Sequence, residues 1–129
     1  MENMQALKDK NNGVKLLKYI CDNDYSLLGD IHDEFISELI GYILIDFKNE
    51  NTSKKYNKVI NDYIAIYKKY HEADINGELE KQDYYFEKLE EQVETLYDYP
   101  ELCNYIVKEL NNYKINLSSK IIRKVLDND

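Results

Sequence analysis

The sequence predicts an all-α protein, a single-domain antiparallel bundle of five or six helices over residues 1–129. Three observations carry that prediction. Apolar residues recur three and four positions apart along nearly the whole chain, the period of a helix with one buried face. No segment alternates apolar and polar residues as a half-buried strand does. Among 129 residues there are only four Gly and one Pro, too few for a turn-rich β architecture or a long linker. A chain of this length buries about two-thirds of its unfolded surface, enough for a core without disulfide staples.

The first helix is expected to run to about Cys21, with Val14, Leu17 and Cys21 on its inner side, after a break at Asn11, Asn12 and Gly13. A loop over 22–29 leads into a second helix from about Asp30 to Lys48. Its apolar positions Ile31, Phe35, Leu39, Ile40, Tyr42, Ile43 and Phe47 cover a wide arc, which makes it the central element. Asn51, Thr52 and Ser53 offer side-chain oxygens to cap the free amides of a third helix. That helix turns Tyr56, Val59, Ile60, Tyr63, Ile64, Tyr67 and Tyr70 inward and Lys54, Lys58, Lys68 and Lys69 outward. Asn76 and Gly77 punctuate the chain before a fourth helix from about Glu78 to Tyr97, with Leu79, Phe86, Leu89, Val93 and Leu96 facing the core. Pro100 suits a first helical turn, where no amide hydrogen is needed, and starts a fifth helix carrying Leu102, Ile106, Leu110 and Tyr113. Ser118 caps the sixth, with Leu117 placed to staple onto Ile122 ahead of Val125 and Leu126. Helices joined by short connections pack against their sequence neighbours in opposite directions.

Charge is unevenly distributed. Residues 19–47 carry seven carboxylates and no Lys or Arg, and residues 78–101 carry nine against two Lys, so these blocks outweigh the formal net charge of −8. The remainder is mildly basic. A field of one sign on part of a small protein steers partners of the opposite sign and repels nucleic acid. On the fourth helix Glu80, Tyr84, Glu87, Glu91, Glu94 and Asp98 fall on one stripe, opposite Phe86 and Leu89. Like charges at i, i+4 each cost a helix about 0.2–0.5 kcal/mol, so stability alone favours interspersed Lys. Lys81 and Lys88 sit on another flank and relieve the stripe only in part. From Glu87 to Asp98 the row runs about 16 Å, long enough to line a basic groove. A solvated helix face is the plain alternative. The other block, Asp22, Asp24, Asp30, Asp33 and Glu34 with Glu38, is equally bare of cations, and binding by both is favoured if they share a face.

Tyrosine, with thirteen copies, supplies large amphipathic area at low entropy cost. Tyr56, Tyr63, Tyr67 and Tyr70 sit at core spacing. Tyr84, Tyr85, Tyr97 and Tyr99 interleave with carboxylates or crowd the break before Pro100, as binding anchors would. Base stacking also uses aromatics, but it needs a basic surround, which only Lys54, Lys55, Lys58, Lys68 and Lys69 provide.

Catalytic and metal-binding patterns are sparse. His32 and His71 stand alone, and neither completes the Glu-x-x-His of a di-iron bundle. Asp22, Asp24, Ser26, Asp30 and Asp33 match positions of a calcium loop, but Leu27 stands where that loop requires Gly, and Asp33 is short for its bidentate Glu. Phosphate loops, Cys-x-x-Cys pairs and nucleophile elbows are lacking. Cys21 and Cys103 read as reduced, buried thiols, and no cofactor or metal is implied. The first residues lack the apolar stretch of a signal peptide and no run is long enough to span a membrane, so a cytoplasmic protein is expected.

These features lead to a non-enzymatic acidic binding protein that neutralises a basic protein partner, a toxin or nuclease, without contacting nucleic acid or membrane. The expected contact residues are Glu80, Tyr84, Glu87, Glu91, Glu94, Tyr97, Asp98 and Tyr99, joined by Asp22, Asp24, Asp30, Asp33 and Glu34. A bacterial immunity protein blocking a nuclease-type toxin is the first reading, and a phage anti-defence inhibitor that imitates nucleic acid is the second. Lys outnumbers Arg sixteen to one, and Asn, Ile, Lys and Tyr supply 57 residues, the AT-rich coding bias of low-GC bacteria and phages. From another class, a helical structural or regulatory adaptor uses the charge for solubility alone. Unbound, the chain is expected to be a monomer or weak homodimer.

Overall fold

The computed structural model describes residues 12–22, 36–50, 54–112 and 119–127. Within them are six helices and no strand: α1 (Asn12–Asp22), α2 (Ile36–Glu50), α3 (Asn57–Ile75), α4 (Leu79–Leu96), α5 (Pro100–Asn111) and α6 (Ser119–Asp127). The all-α class expected from the periodicity is the class observed. One hydrophobic core draws side chains from all six helices.

α2 lies at the centre. Ile36, Ser37, Leu39, Ile40, Gly41, Ile43 and Leu44 are all buried, so the helix is covered on several sides, by α3, α4 and α5. Tyr42 is the exception to the expected inner face: it is exposed and sets its ring edge-on against Tyr67 at 5.6 Å. The expected start near Asp30, with Ile31 and Phe35, lies outside the described residues. On α1 the inner face is Leu16, Leu17 and Ile20, with Val14 and Cys21 only partly buried. The expected face was rotated because Leu16 and Leu17 are adjacent, and the period alone did not say which of them leads.

α3 buries every residue assigned inward, from Tyr56 to Tyr70, and exposes Lys54, Lys58, Lys68 and Lys69. It begins after a turn at Lys54–Tyr56, with no side-chain cap at Tyr56. The cap expected at residues 51–53 lies outside the described residues. At its far end Gly77 takes φ +68°, a left-handed value that glycine adopts without steric cost, and α3 and α4 become a hairpin. Contacts step down one helix as they climb the other, from the Gln82 amide donating to Asp74 at 3.0 Å, through Tyr70 against Phe86 at 5.9 Å, to a cleft shared by Asp62 and Gln92. α4 buries Leu89, Val93 and Leu96. Leu79, expected inside, is 72% exposed: it lies at the hairpin tip, beyond the reach of α2. Pro100 occupies the first turn of α5, as expected, and Leu102, Cys103, Ile106, Val107 and Leu110 are buried. α1 and α6 close over that end, with Ile122 in the core; Tyr113, Leu117 and Ser118 lie outside the described residues.

Inside this frame the tyrosines bridge elements. The Tyr63 hydroxyl, fully buried, donates to the Ser37 carbonyl at 2.6 Å and ties α3 to the start of α2. Tyr63→Phe is expected to cost about 1 kcal/mol, the net worth of one buried hydrogen bond, with the fold retained; denaturant unfolding of the variant measures it. Tyr105, Phe47, Tyr56 and Tyr99 form a chain of edge-on rings at 4.9, 6.0 and 5.8 Å across α5, α2 and the turns before α3 and α5. Their hydroxyls reach the rim: Tyr56 donates to the Glu101 carboxylate and Tyr105 to Glu50 at 3.3 Å.

Candidate partner-binding surface

The chemistry of the surface follows from what α4 must bury. With Leu89, Val93 and Leu96 held inside, a rise of 3.6 residues per turn puts the opposite stripe in water. Glu80, Tyr84, Glu87, Glu91, Glu94 and Asp98 are all exposed, in the arrangement expected. Lys88 comes closer to the stripe than anticipated: its ammonium pairs with Glu91 at 3.2 Å and lies 5.4 Å from the Tyr84 ring centre. Lys81 turns the other way, to Glu78 at 2.8 Å. Among the described residues no cation lies within 4.0 Å of Glu80, Glu87, Glu94 or Asp98. α4 also has no basic residue in its last turn, so Glu94 faces the negative end of the helix dipole uncompensated.

Of the expected aromatic anchors, only Tyr84 is fully available, 54% exposed and edge-on to Tyr85 at 5.2 Å. Tyr97 and Tyr99 are half-buried. Tyr97 packs towards Cys21 under the Lys18 ammonium, 5.1 Å from its ring centre, and Tyr99 packs on Tyr56. Both were expected at the surface because they adjoin charged residues. The turn between α4 and α5 instead folds their rings back onto α1 and α3.

Asp22 ends α1 on the surface, whereas Asp24, Asp30, Asp33 and Glu34 lie outside the described residues. The fold brings Asp22 to α4. Together with Lys18, Cys21, Ile36, Ser37, Phe86, Val93 and Tyr97, it lines a cleft of about 330 Å³ whose α4 wall carries Glu90 and Glu94. One member of the first acidic block thus shares a site with the second. Sequence reasoning passed over Glu90, which is off the stripe but one turn before Glu94. The spacing of four was the available signal.

The basic face of α3 is largely engaged within the molecule. Lys58 pairs with Asp62 at 3.0 Å, Lys55 lies over Tyr56 at 5.3 Å and Lys69 over Tyr85 at 5.9 Å. Among the described residues no group of three or more His, Cys, Asp or Glu is placed to hold a metal ion. His71 is exposed and stacks on Tyr67 at 6.1 Å; His32 lies outside the described residues. Cys21 and Cys103 are free thiols, Cys103 buried and Cys21 partly so. No helix among the described residues is long and apolar enough to cross a membrane.

No protein-family model, curated protein or solved structure matches this chain. The functional reading therefore rests on the surface itself.

Burial gives the molecule a definite alkaline response. Desolvation and then the Glu101 carboxylate push the Tyr56 phenol up to about 12 from 10.0, and burial likewise raises Tyr63, Tyr97 and Tyr105. The folded state holds these protons more tightly than the unfolded chain. The Tyr56 contribution is fully present below the unfolded value of 10.0 and is lost as pH rises from there towards about 12, and those of the other three persist to higher pH. A titration followed by phenolate absorbance should show Tyr56 and the other buried tyrosines ionising only together with loss of helix. Smooth ionisation of all tyrosines with helicity intact would contradict this packing.

Proposed function

We propose that the chain is a stoichiometric inhibitor, a non-enzymatic acidic protein that binds a basic partner and covers the surface with which that partner holds phosphate. The observation that carries this reading is the exposed α4 stripe, where Glu80, Glu87, Glu94 and Asp98 stand without cation partners among the described residues. Such a row costs the helix stability through like-charge repulsion and an uncompensated dipole. Binding is the use that offsets the cost. Carboxylates meeting Lys and Arg give fast, salt-sensitive association, and Tyr84 supplies an aromatic contact that slows dissociation. A nuclease-type toxin is the favoured target, with the chain as its immunity protein; a phage inhibitor of a defence nuclease uses the same chemistry.

The test is capture from a lysate of the source cells on the tagged protein at low salt, with elution by a salt step. A basic nuclease or toxin released by salt supports the proposal. A second reading, a self-associating adaptor, draws on Ile75 and Leu79, 70% and 72% exposed at the tip of the α3–α4 hairpin. A stable homodimer insensitive to salt, recovered with no basic protein, would replace the inhibitor with that adaptor.

A further inference from the structure

A cleft of about 560 Å³ opens where the turn before α3 meets the turn before α5 and the first turns of α5 itself. Its volume falls within the range of about 300–1,000 Å³ typical of ligand pockets. The half-buried Tyr99 ring and Pro100 make its apolar wall, and Tyr56, 7% exposed, meets Tyr99 edge-on at 5.8 Å. Two carboxylates line it, Asp98 and Glu101, against the one ammonium of Lys55. Glu101 is held in place by the Tyr56 hydroxyl, which donates to it. Asn104 completes the lining from α5. Its amide oxygen is the one buried side-chain polar atom without a hydrogen-bond partner among the described residues, and it is turned against Gly13. With the oxygen committed to that contact, the NH₂ is the end of the amide left to line the cleft, a donor ready for an incoming oxygen.

We propose that this cleft binds a proline-rich segment of a partner protein, in the polyproline II form, with an Arg or Lys beside the prolines. The lining asks a ligand for an apolar face, an acceptor and a positive charge, and such a segment carries all three. Its rings pack on Tyr99 and Pro100, the way proline-rich segments dock in aromatic-lined grooves. Its carbonyls have no internal hydrogen-bond partners, so one accepts from the Asn104 amide. The flanking cation meets Asp98 and Glu101, and that charge complementarity selects a basic flank over an acidic one. A stiff segment also loses little entropy on docking. An aromatic side chain alone would fill the wall but offer Asn104 no acceptor. The site stands apart from the inhibitor reading, sharing only Asp98 with the α4 stripe.

The experiment uses the full chain, isotopically labelled, titrated with three end-capped hexapeptides: Arg-Pro-Pro-Pro-Pro-Arg, the same peptide with Gln in place of both Arg, and Arg-Gly-Gly-Gly-Gly-Arg. Saturable shifts are expected at the backbone amides of Tyr56, Tyr99 and Glu101 and at the Asn104 side-chain amide. The Arg-flanked proline peptide should bind at least tenfold tighter than the glycine peptide and at least threefold tighter than the Gln-flanked one. Asn104→Ala removes an unpartnered oxygen and so keeps the fold; it should weaken both proline peptides about tenfold. Asp98→Asn with Glu101→Gln should erase the preference for Arg and leave the Gln-flanked peptide as before. Reversing Glu87, Glu91 and Glu94 to Lys should also leave the Gln-flanked peptide bound, which separates this cleft from the α4 stripe. Equal affinity for proline and glycine peptides, no saturation, shifts that follow the α4 stripe, or an Asn104→Ala chain that binds as the parent does would overturn the proposal.

Discussion

Gly13→Ala is expected to lower stability by about 2–3 kcal/mol, more than the same change at Gly41 or Gly77. α1 closes onto α5 at Gly13 until a Cβ there would stand 2.6 Å from the backbone nitrogen and 2.7 Å from the Cα of Asn104, and closer still to its amide oxygen. The Asn104 side chain can swing away, but its backbone cannot, so α1 must lift off and draw Leu16, Leu17 and Ile20 partly out of the core. The Asn104 amide oxygen is buried there without a hydrogen-bond partner among the described residues, further evidence of how tightly the helices meet. Two other glycines grade the effect. At Gly41 a Cβ would touch the Tyr67 ring at 3.0 Å; helix propensity favours Ala over Gly by about 1 kcal/mol, and the two terms nearly cancel. At Gly77 there is open space but φ is +68°, so Gly77→Ala costs about 1 kcal/mol through the backbone alone. Thermal or denaturant unfolding of the three variants should rank Gly13 well ahead of Gly77, with Gly41 last. A Gly13→Ala chain as stable as the parent would mean that α1 does not seat on Asn104.

Reversing Glu87, Glu91 and Glu94 to Lys is expected to abolish partner capture, weakening it by a hundredfold or more, while the chain stays folded. Each reversal is worth +2, so the formal net charge moves from −8 to about −2, with the whole change on one exposed face. Like charges placed against a complementary patch cost several kcal/mol. Stability moves the other way. Lys at position 94, in the last turn of α4, complements the helix dipole, worth about 0.3–1 kcal/mol, and gains Glu90 and Asp98 at i−4 and i+4, while the three new cations repel one another about as much as the three carboxylates did. Glu91→Lys does place a cation beside Lys88 and forfeits an exposed ion pair, but such a pair contributes little. The expected result is a melting temperature that holds or rises while binding disappears. A folded triple variant that still captures its partner would sink the carboxylate-stripe mechanism.

The opposed signs explain why so much of this surface was legible in advance. A carboxylate row that the helix would be more stable without is visible in a linear sequence, since it depends only on spacing and charge. The same locality made the α3 face readable: every tyrosine from Tyr56 to Tyr70 assigned to the core is buried, because seven apolar positions at helical spacing admit one solution. Tyr97 and Tyr99 were harder. Whether a ring beside a charged residue faces water depends on the direction of the next helix, and the turn into Pro100 folds both inward. Leu79 failed for the complementary reason, since its register is correct but no element reaches the hairpin tip.

What the sequence determined by itself is therefore local: the helical class, the breaks at Gly77 and Pro100, the inner face of α3 and the exposed acidic stripe of α4. Each follows from backbone geometry and periodicity within about twenty residues. The tertiary structure alone decided that Asp22, Ser37, Glu90, Glu94 and Tyr97, drawn from three helices and a turn, converge on one cleft, and that Gly13 meets Asn104. Both depend on distances between residues far apart in the chain, and those are set by how the helices pack, which no spacing along a single helix encodes.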